Sequence, residues 1–140
     1  MQLNRTTDYV VRIVYFLSNE NRIFTSEEIS EAIGCSRGYV ISILRKLSKE
    51  GLVEVIRGVK GGFRLKKRPD AISLFDVIKI MEDTICINQC LNEEENCNLK
   101  ATDYCPVRRF HLSLQEQIES ELKHMTFEML RKSGGADRIF

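Results

Sequence analysis

Between positions 86 and 109 the chain reads CINQCLNEEENCNLKATDYCPVRR, and four of its five cysteines fall in this polar, acidic stretch. So polar a segment cannot form a core, so packing does not explain the thiols. In a reducing compartment, clustered cysteines point to metal binding or redox chemistry rather than to structural disulfides. The spacing is Cys86-x3-Cys90-x6-Cys97-x7-Cys105. A structural zinc site usually opens with a C-x2–4-C knuckle, and only Cys86 and Cys90 fit that. The ferredoxin run with its two-residue gaps is absent. Wide gaps suit an open loop that wraps a bulky inorganic cluster, with thiolates arriving from separated backbone points. A disulfide switch or a zinc-stiffened loop uses the same thiols, and spacing alone leaves both open. Cys35 stands apart and is expected to pack as a small apolar residue.

The 140 residues amount to about one domain, with 43% hydrophobic residues for a modest core. No apolar run approaches the roughly 18 residues of a membrane span. The opening MQLNRTTDYVVRIVYFL has interspersed charges and no small-residue cleavage site, so the expected location is the cytoplasm. A net charge of +1 conceals an asymmetry. Residues 36–68 hold ten Lys/Arg against Glu50 and Glu54, a balance of +8. Residues 70–103 hold eight acids against Lys79 and Lys100, a balance of −6. A polyanion is attracted to the first block and repelled by the second.

Those blocks sit on recognisable elements. Residues 3–19 carry Val10, Ile13, Val14 and Leu17 at helical spacing. Thr25 and Glu28 form a capping box for a second helix that Gly34 ends, and Ser36 caps a third that buries Val40, Ile43, Leu44 and Leu47. LVEVIRGVKGGFRLKK alternates as a hairpin with a glycine-rich tip. Ser73 caps a fourth helix. After the cysteines, Pro106 starts a long helix in which Val107, Phe110, Leu114, Ile118, Leu122, Met125 and Met129 recur at three- or four-residue steps. The expected organisation is a winged helix-turn-helix at 1–70, a connecting helix and cysteine loop at 71–105, a long helix at 106–132 and a tail at 133–140. The fold class is mainly α with a two-stranded wing.

In such a unit the second helix of the pair enters the major groove, and its N-terminal side chains reach base edges. Here these are Ser36, Arg37 and Tyr39, with Ser42 a turn later. Arg45, Lys46 and Lys49 are placed for phosphates. At the hairpin tip, Arg57 and Lys60 supply cations, and Gly61 permits close backbone approach. Any one of these is also an ordinary surface charge; ten in one supersecondary unit are not.

The block SRGYVISILRKLSKEGLVEVIRGVKGGFRL resembles the IscR/NsrR-type regulators, the Rrf-type winged-helix family, most specifically in its GLVE–RG–KGGF–L pattern. The resemblance runs from Met1 to about Arg131. It implies a homodimeric bacterial transcription factor in which the long C-terminal helices of two chains cross. It also implies an iron–sulfur cluster, of 4Fe–4S or 2Fe–2S type, held by Cys90, Cys97 and Cys105. IscR-like members draw a fourth ligand from a histidine three residues after the last cysteine. That position is Arg108 here, a departure, and His111 lies six residues after Cys105. NsrR-like members use an aspartate near the N-terminus of the other subunit, which Asp8 matches. Cys86 is the remaining candidate. By itself Asp8 also complements the dipole at the start of its helix, worth ~0.3–1 kcal/mol.

The reading is a DNA-binding regulator, expected to be a repressor, that occupies a pseudo-palindromic operator as a homodimer. Its cluster is expected to sense nitric oxide, redox state or iron supply. A thiol-disulfide or zinc switch is the alternative. An enzyme or electron carrier finds less support, because the chain has no flavin or nicotinamide glycine fingerprint and neither His111 nor His124 has an evident catalytic partner.

Overall fold

The computed structural model describes residues 2–92 and 97–134. Helices α1 (Arg5–Ser18), α2 (Ser26–Ile33) and α3 (Arg37–Lys49) precede an antiparallel hairpin of β1 (Val53–Ile56) and β2 (Gly62–Leu65). A short turn of helix at Pro69–Ala71 leads to α4 (Leu74–Met81), and another at Gln89–Leu91 falls in the cysteine loop. The chain ends in α5 (Pro106–His124) and α6 (Phe127–Ser133). Among the described residues no helix is long and apolar enough to cross a membrane.

Local signals set the helix ends. The Asn4 side chain accepts the Thr7 N–H at 2.8 Å and starts α1. The reciprocal Thr25/Glu28 box starts α2, with bonds of 3.1 and 2.7 Å. Gly34, at φ +74°, turns the chain in the left-handed region that L side chains disfavour, and Ser36 then caps α3. Val10, Ile13 and Val14 of α1 are fully buried against Ile29, Val40, Leu44 and Leu47, so the expected apolar faces meet in one core.

The wing is fixed by register and by one contact distant in sequence. Val53 faces Leu65, and Val55 faces Phe63. Phe63 also exchanges two 2.8 Å backbone bonds with Phe24, in the α1–α2 connection. A Cβ on Gly62 would collide with the Phe24 carbonyl, so glycine there permits the strand to close on the helical unit.

The C-terminal helix differs from expectation. It does not run unbroken over 106–132, but stops at His124 and restarts at Phe127. Thr126 caps the new helix by accepting the Met129 N–H at 3.2 Å. Leu74 N–H donates to the Met125 carbonyl at 2.9 Å, and Phe127 N–H donates to the Ile72 carbonyl at 3.0 Å. Phe127 is fully buried. Burying this ring beside Ile72 and Val77 outweighs the lost helical turn, because it removes a large apolar surface from water. Helix α6 therefore packs on α1 as part of the N-terminal core. The first half of the apolar repeat along α5 faces outward instead: Val107 is 59% and Phe110 65% exposed, while Ile118 and Leu122 are half-buried. The only buried residue of α5 is Gln115.

Candidate DNA-binding face and cysteine site

Helix α3 and the wing flank a groove of about 850 Å³ lined by, among others, Arg37, Arg45, Arg57 and Lys66. Arg45, Lys46, Lys49, Arg57 and Lys60 are exposed. Val59 at the hairpin tip stands wholly clear of the protein. The groove thus joins the first turns of α3 to the wing in one basic surface, as a duplex requires.

Individual readers are more constrained than spacing indicated. Arg37 is exposed, yet its Nε donates to Ser26 Oγ at 2.8 Å, so α2 braces its stem. The Ser36 hydroxyl is used as the α3 cap. The Ser42 hydroxyl donates back to the Tyr39 carbonyl at 2.7 Å. Tyr39 is half-buried: its hydroxyl donates to Thr6 Oγ1 at 2.8 Å, and its ring meets Tyr9 edge-on with centroids 5.7 Å apart. Tyr39 therefore ties the recognition helix to α1. Gly61 is enclosed by the turn: its N–H is bonded to the Gly58 carbonyl at 3.0 Å, and a Cβ there would collide with the Ile56 carbonyl. Its missing Cβ serves the hairpin first.

The first turn of α1 is a junction that sequence reasoning missed. The Thr7 hydroxyl, on a fully buried residue, donates to Glu82 Oε1 at 2.5 Å, and Asn4 N–H donates to the same oxygen at 2.9 Å. Glu82 ends α4, where the cysteine loop begins. Burial raises the Glu82 carboxyl, but the Thr7 and Asn4 bonds outweigh it and hold the group below its ordinary value. Thr6 faces the recognition helix and Thr7 faces the root of the loop. Asp8, next in line, is exposed and bonds Arg12 at 2.6 Å.

The thiols are held by backbone and by α5. Cys97 Sγ accepts the Ala101 N–H at 3.4 Å, within a turn closed by Lys100 N–H to the Cys97 carbonyl at 3.0 Å. The N–H groups of Ala101 and Leu99, then that of Lys100 and the charge on Arg108, pull this thiol below its ordinary pKa against the opposing effect of burial. Cys105 caps α5, its Sγ accepting the Arg108 N–H at 3.5 Å. Cys90 lies in the short helical turn, and its carbonyl accepts Arg108 Nε at 3.2 Å. Cys86 precedes it, outside any helix or strand. His111 Nδ1 lies 3.3 Å from Asn88 Nδ2. Cys35 is half-buried beside the core, where burial raises its thiol pKa. The run Glu93–Glu95 and the tail beyond Gly134 lie outside the described residues.

Among the described residues, no three His, Cys, Asp or Glu side chains converge to hold a single metal ion. Asp8 does not join the cysteines within one chain. The donor chemistry nonetheless fits thiolate ligation: N–H groups point at Cys97 and Cys105, and the Arg108 guanidinium acts on Cys97 and bonds the Cys90 carbonyl.

A winged helix-turn-helix with a basic groove defines a protein of the DNA-binding class. The particular family follows from comparison with known proteins. The chain belongs to the Rrf2 family, whose profile, described as "Iron-dependent Transcriptional regulator", matches residues 3–133. It is 36% identical over 98 residues to the HTH-type transcriptional regulator NsrR of Bacillus licheniformis, covering 69% of this chain and 68% of that one. It is 30% identical over 121 residues to a putative HTH-type transcriptional regulator of Aquifex aeolicus, covering 86% and 84% of the two chains. Among solved structures, CymR, the global cysteine regulator of B. subtilis, superposes with a TM-score of 0.76 at 23% identity, over 96% of this chain and 99% of that one. IscR of T. potens superposes with a TM-score of 0.75 at 20% identity, over 99% and 92%. These two likenesses bear on the fold.

Proposed function

We propose that this chain is a homodimeric repressor whose affinity for a pseudo-palindromic operator is set by an iron–sulfur cluster. Cys90, Cys97 and Cys105 hold the cluster, with Asp8 of the partner subunit as fourth ligand. The observation that carries the proposal is the junction in the first turn of α1. Thr7 bonds the residue at the root of the cysteine loop, Thr6 bonds Tyr39 of the recognition helix, and Asp8 faces outward from the same turn. Glu82, from which the cysteine loop departs, is one hydrogen-bonded step from α1, and α1 is one step from α3.

The exposed stripe of Val107, Phe110 and Leu114 on α5 supports the dimer, because a contiguous apolar face on a helix marks a protein contact. Two such chains place their recognition helices on half-sites ~34–36 Å apart or a multiple of that. Bound, the cluster would supply an iron centre open to nitric oxide and oxidants and lost when iron is scarce, and a carboxylate such as Asp8 would be a harder ligand than thiolate at one iron. The coupling between cluster state and DNA affinity is expected at ~1–3 kcal/mol.

Anaerobic purification tests the reading. A brown protein with bound iron and sulfide, whose operator affinity changes on cluster loss, is the expected result. Replacing Cys90, Cys97 and Cys105 together with serine should abolish both. Asp8→Ala should make the cluster more labile while leaving the dimer intact. The lowered Cys97 thiol favours one rival reading, a thiol-disulfide switch on the same scaffold. A colourless protein whose DNA binding responds to oxidant and dithiol would establish that rival instead, and a colourless protein with stoichiometric zinc would establish a zinc-stiffened loop.

A further inference from the structure

Arg108 stands where the resemblance called for a histidine ligand, and its contacts give it another task. Its Nε donates to the Cys90 carbonyl at 3.2 Å, while its own backbone N–H meets Cys105 Sγ at 3.5 Å. One residue thus touches the backbone of one cysteine and the sulfur of another that is distant in sequence.

The following turns of α5 continue the line. His111 faces Asn88 at 3.3 Å. Gln115 accepts the Ile87 N–H at 2.9 Å and donates to the Ile85 carbonyl at 3.2 Å. Steps of three and four place Arg108, His111 and Gln115 on one face of the helix. The segment 85–90 is therefore laid along α5 by polar side chains. Gln115 is 5% exposed and fixes the inner end of this seam, while Arg108 and His111 are half-buried and Asn88 is exposed. A guanidinium suits the end of the seam: it stays charged, and its planar fork fixes the direction of its bonds.

We propose that Arg108 is a positioning residue that holds Cys90 and Cys105 together at the N-terminal end of α5 as a preformed pair, before any iron arrives. Only the consequence for iron rests on the cluster reading; the pairing belongs to the chain itself. A preformed pair reduces the ordering that cluster assembly must otherwise impose on the loop.

The test uses the full chain with Cys35, Cys86 and Cys97 replaced by serine, leaving Cys90 and Cys105 as the only thiols. The reduced protein is treated anaerobically with dibromobimane, which becomes fluorescent only when both arms react. Rapid cross-linking is expected in this parent, and Arg108→Gln should slow it about fivefold or more with the helical circular dichroism unchanged, because the effective concentration of one thiol at the other falls. An unchanged rate in Arg108→Gln overturns the proposal. If Arg108→Gln loses its helical signal, Arg108→Lys decides: it keeps the charge without the fork, and should cross-link more slowly than the parent, whereas a parent-like rate overturns the proposal. Reconstitution of the otherwise native chain is read in parallel, and Arg108→Gln should retain less iron and sulfide. A native chain that takes up neither defeats the cluster reading, while the cross-linking rates still decide the pairing.

Discussion

The Thr7 hydroxyl donates to Glu82 Oε1 at 2.5 Å, joining residues 75 positions apart. Asn4 N–H shares the same acceptor. This carboxylate is thus a structural part of the α1 N-terminus, and α1 carries the contact to the recognition helix. Glu82→Ala leaves a fully buried threonine hydroxyl without its partner, and should cost ~1–3 kcal/mol in chemical denaturation. The pH dependence has a definite sign. The folded-state carboxyl lies below its unfolded value, so its contribution is complete above the ordinary carboxylate range and is lost as pH falls through the depressed value. Glu82→Gln should therefore flatten the acid side of the stability curve. An unchanged curve would show that the bond carries no stability.

Tyr39→Phe removes the bond to Thr6 while keeping the edge-on ring contact with Tyr9. The expected stability loss is ~0.5–1.5 kcal/mol. DNA affinity should fall by a similar factor on matched and mismatched operators, because the hydroxyl positions α3 and does not read a base. Fluorescence anisotropy on an operator series checks this, and a changed base preference would return Tyr39 to direct readout.

Arg37 and Lys60 should separate by salt and sequence. Arg37 emerges from a brace on Ser26 into the groove, so Arg37→Ala should relax base preference at one position by ~1–3 kcal/mol. Lys60 is exposed on the wing, so Lys60→Ala should weaken all sequences alike and reduce the salt slope by about 1. Equal, sequence-blind losses from both would refute the division of labour.

The two C-terminal helices should respond to opposite tests. Phe127→Ala empties a fully buried site and should cost ~3–5 kcal/mol in thermal or chemical unfolding. Phe110→Glu changes an exposed ring and should leave the fold of each chain intact while shifting sedimentation toward monomer. A stable Phe127→Ala chain, or a Phe110→Glu chain that remains dimeric, would contradict these assignments.

Much of this molecule was legible as text. Capping signals at Thr25, Ser36 and Ser73 and the glycine stop at Gly34 are local, so they hold in the fold as they do in the sequence. The apolar steps of α1 and α3 also became the core, because a helical period fixes a face whatever lies opposite. The basic block on α3 and the wing, and the crowded cysteines, needed only composition and spacing to stand out. Other features depended on partners far away in the chain. Spacing read Met125 and Met129 as a continuation of α5, but no period announces that Phe127 meets Ile72 or that Leu74 N–H meets the Met125 carbonyl. Tyr39 reads as a base contact from its place on the helix, and only the fold shows that its hydroxyl also bonds Thr6. Glu82, Gln115 and Arg108 carry no signal in spacing, and each takes its role from a partner brought near only by folding. Periodicity and capping act over one or two turns of chain and so are written in the sequence. The direction of a polar side chain is decided by which donor or acceptor the packed core brings within about 3 Å, and that distance exists only in the tertiary structure.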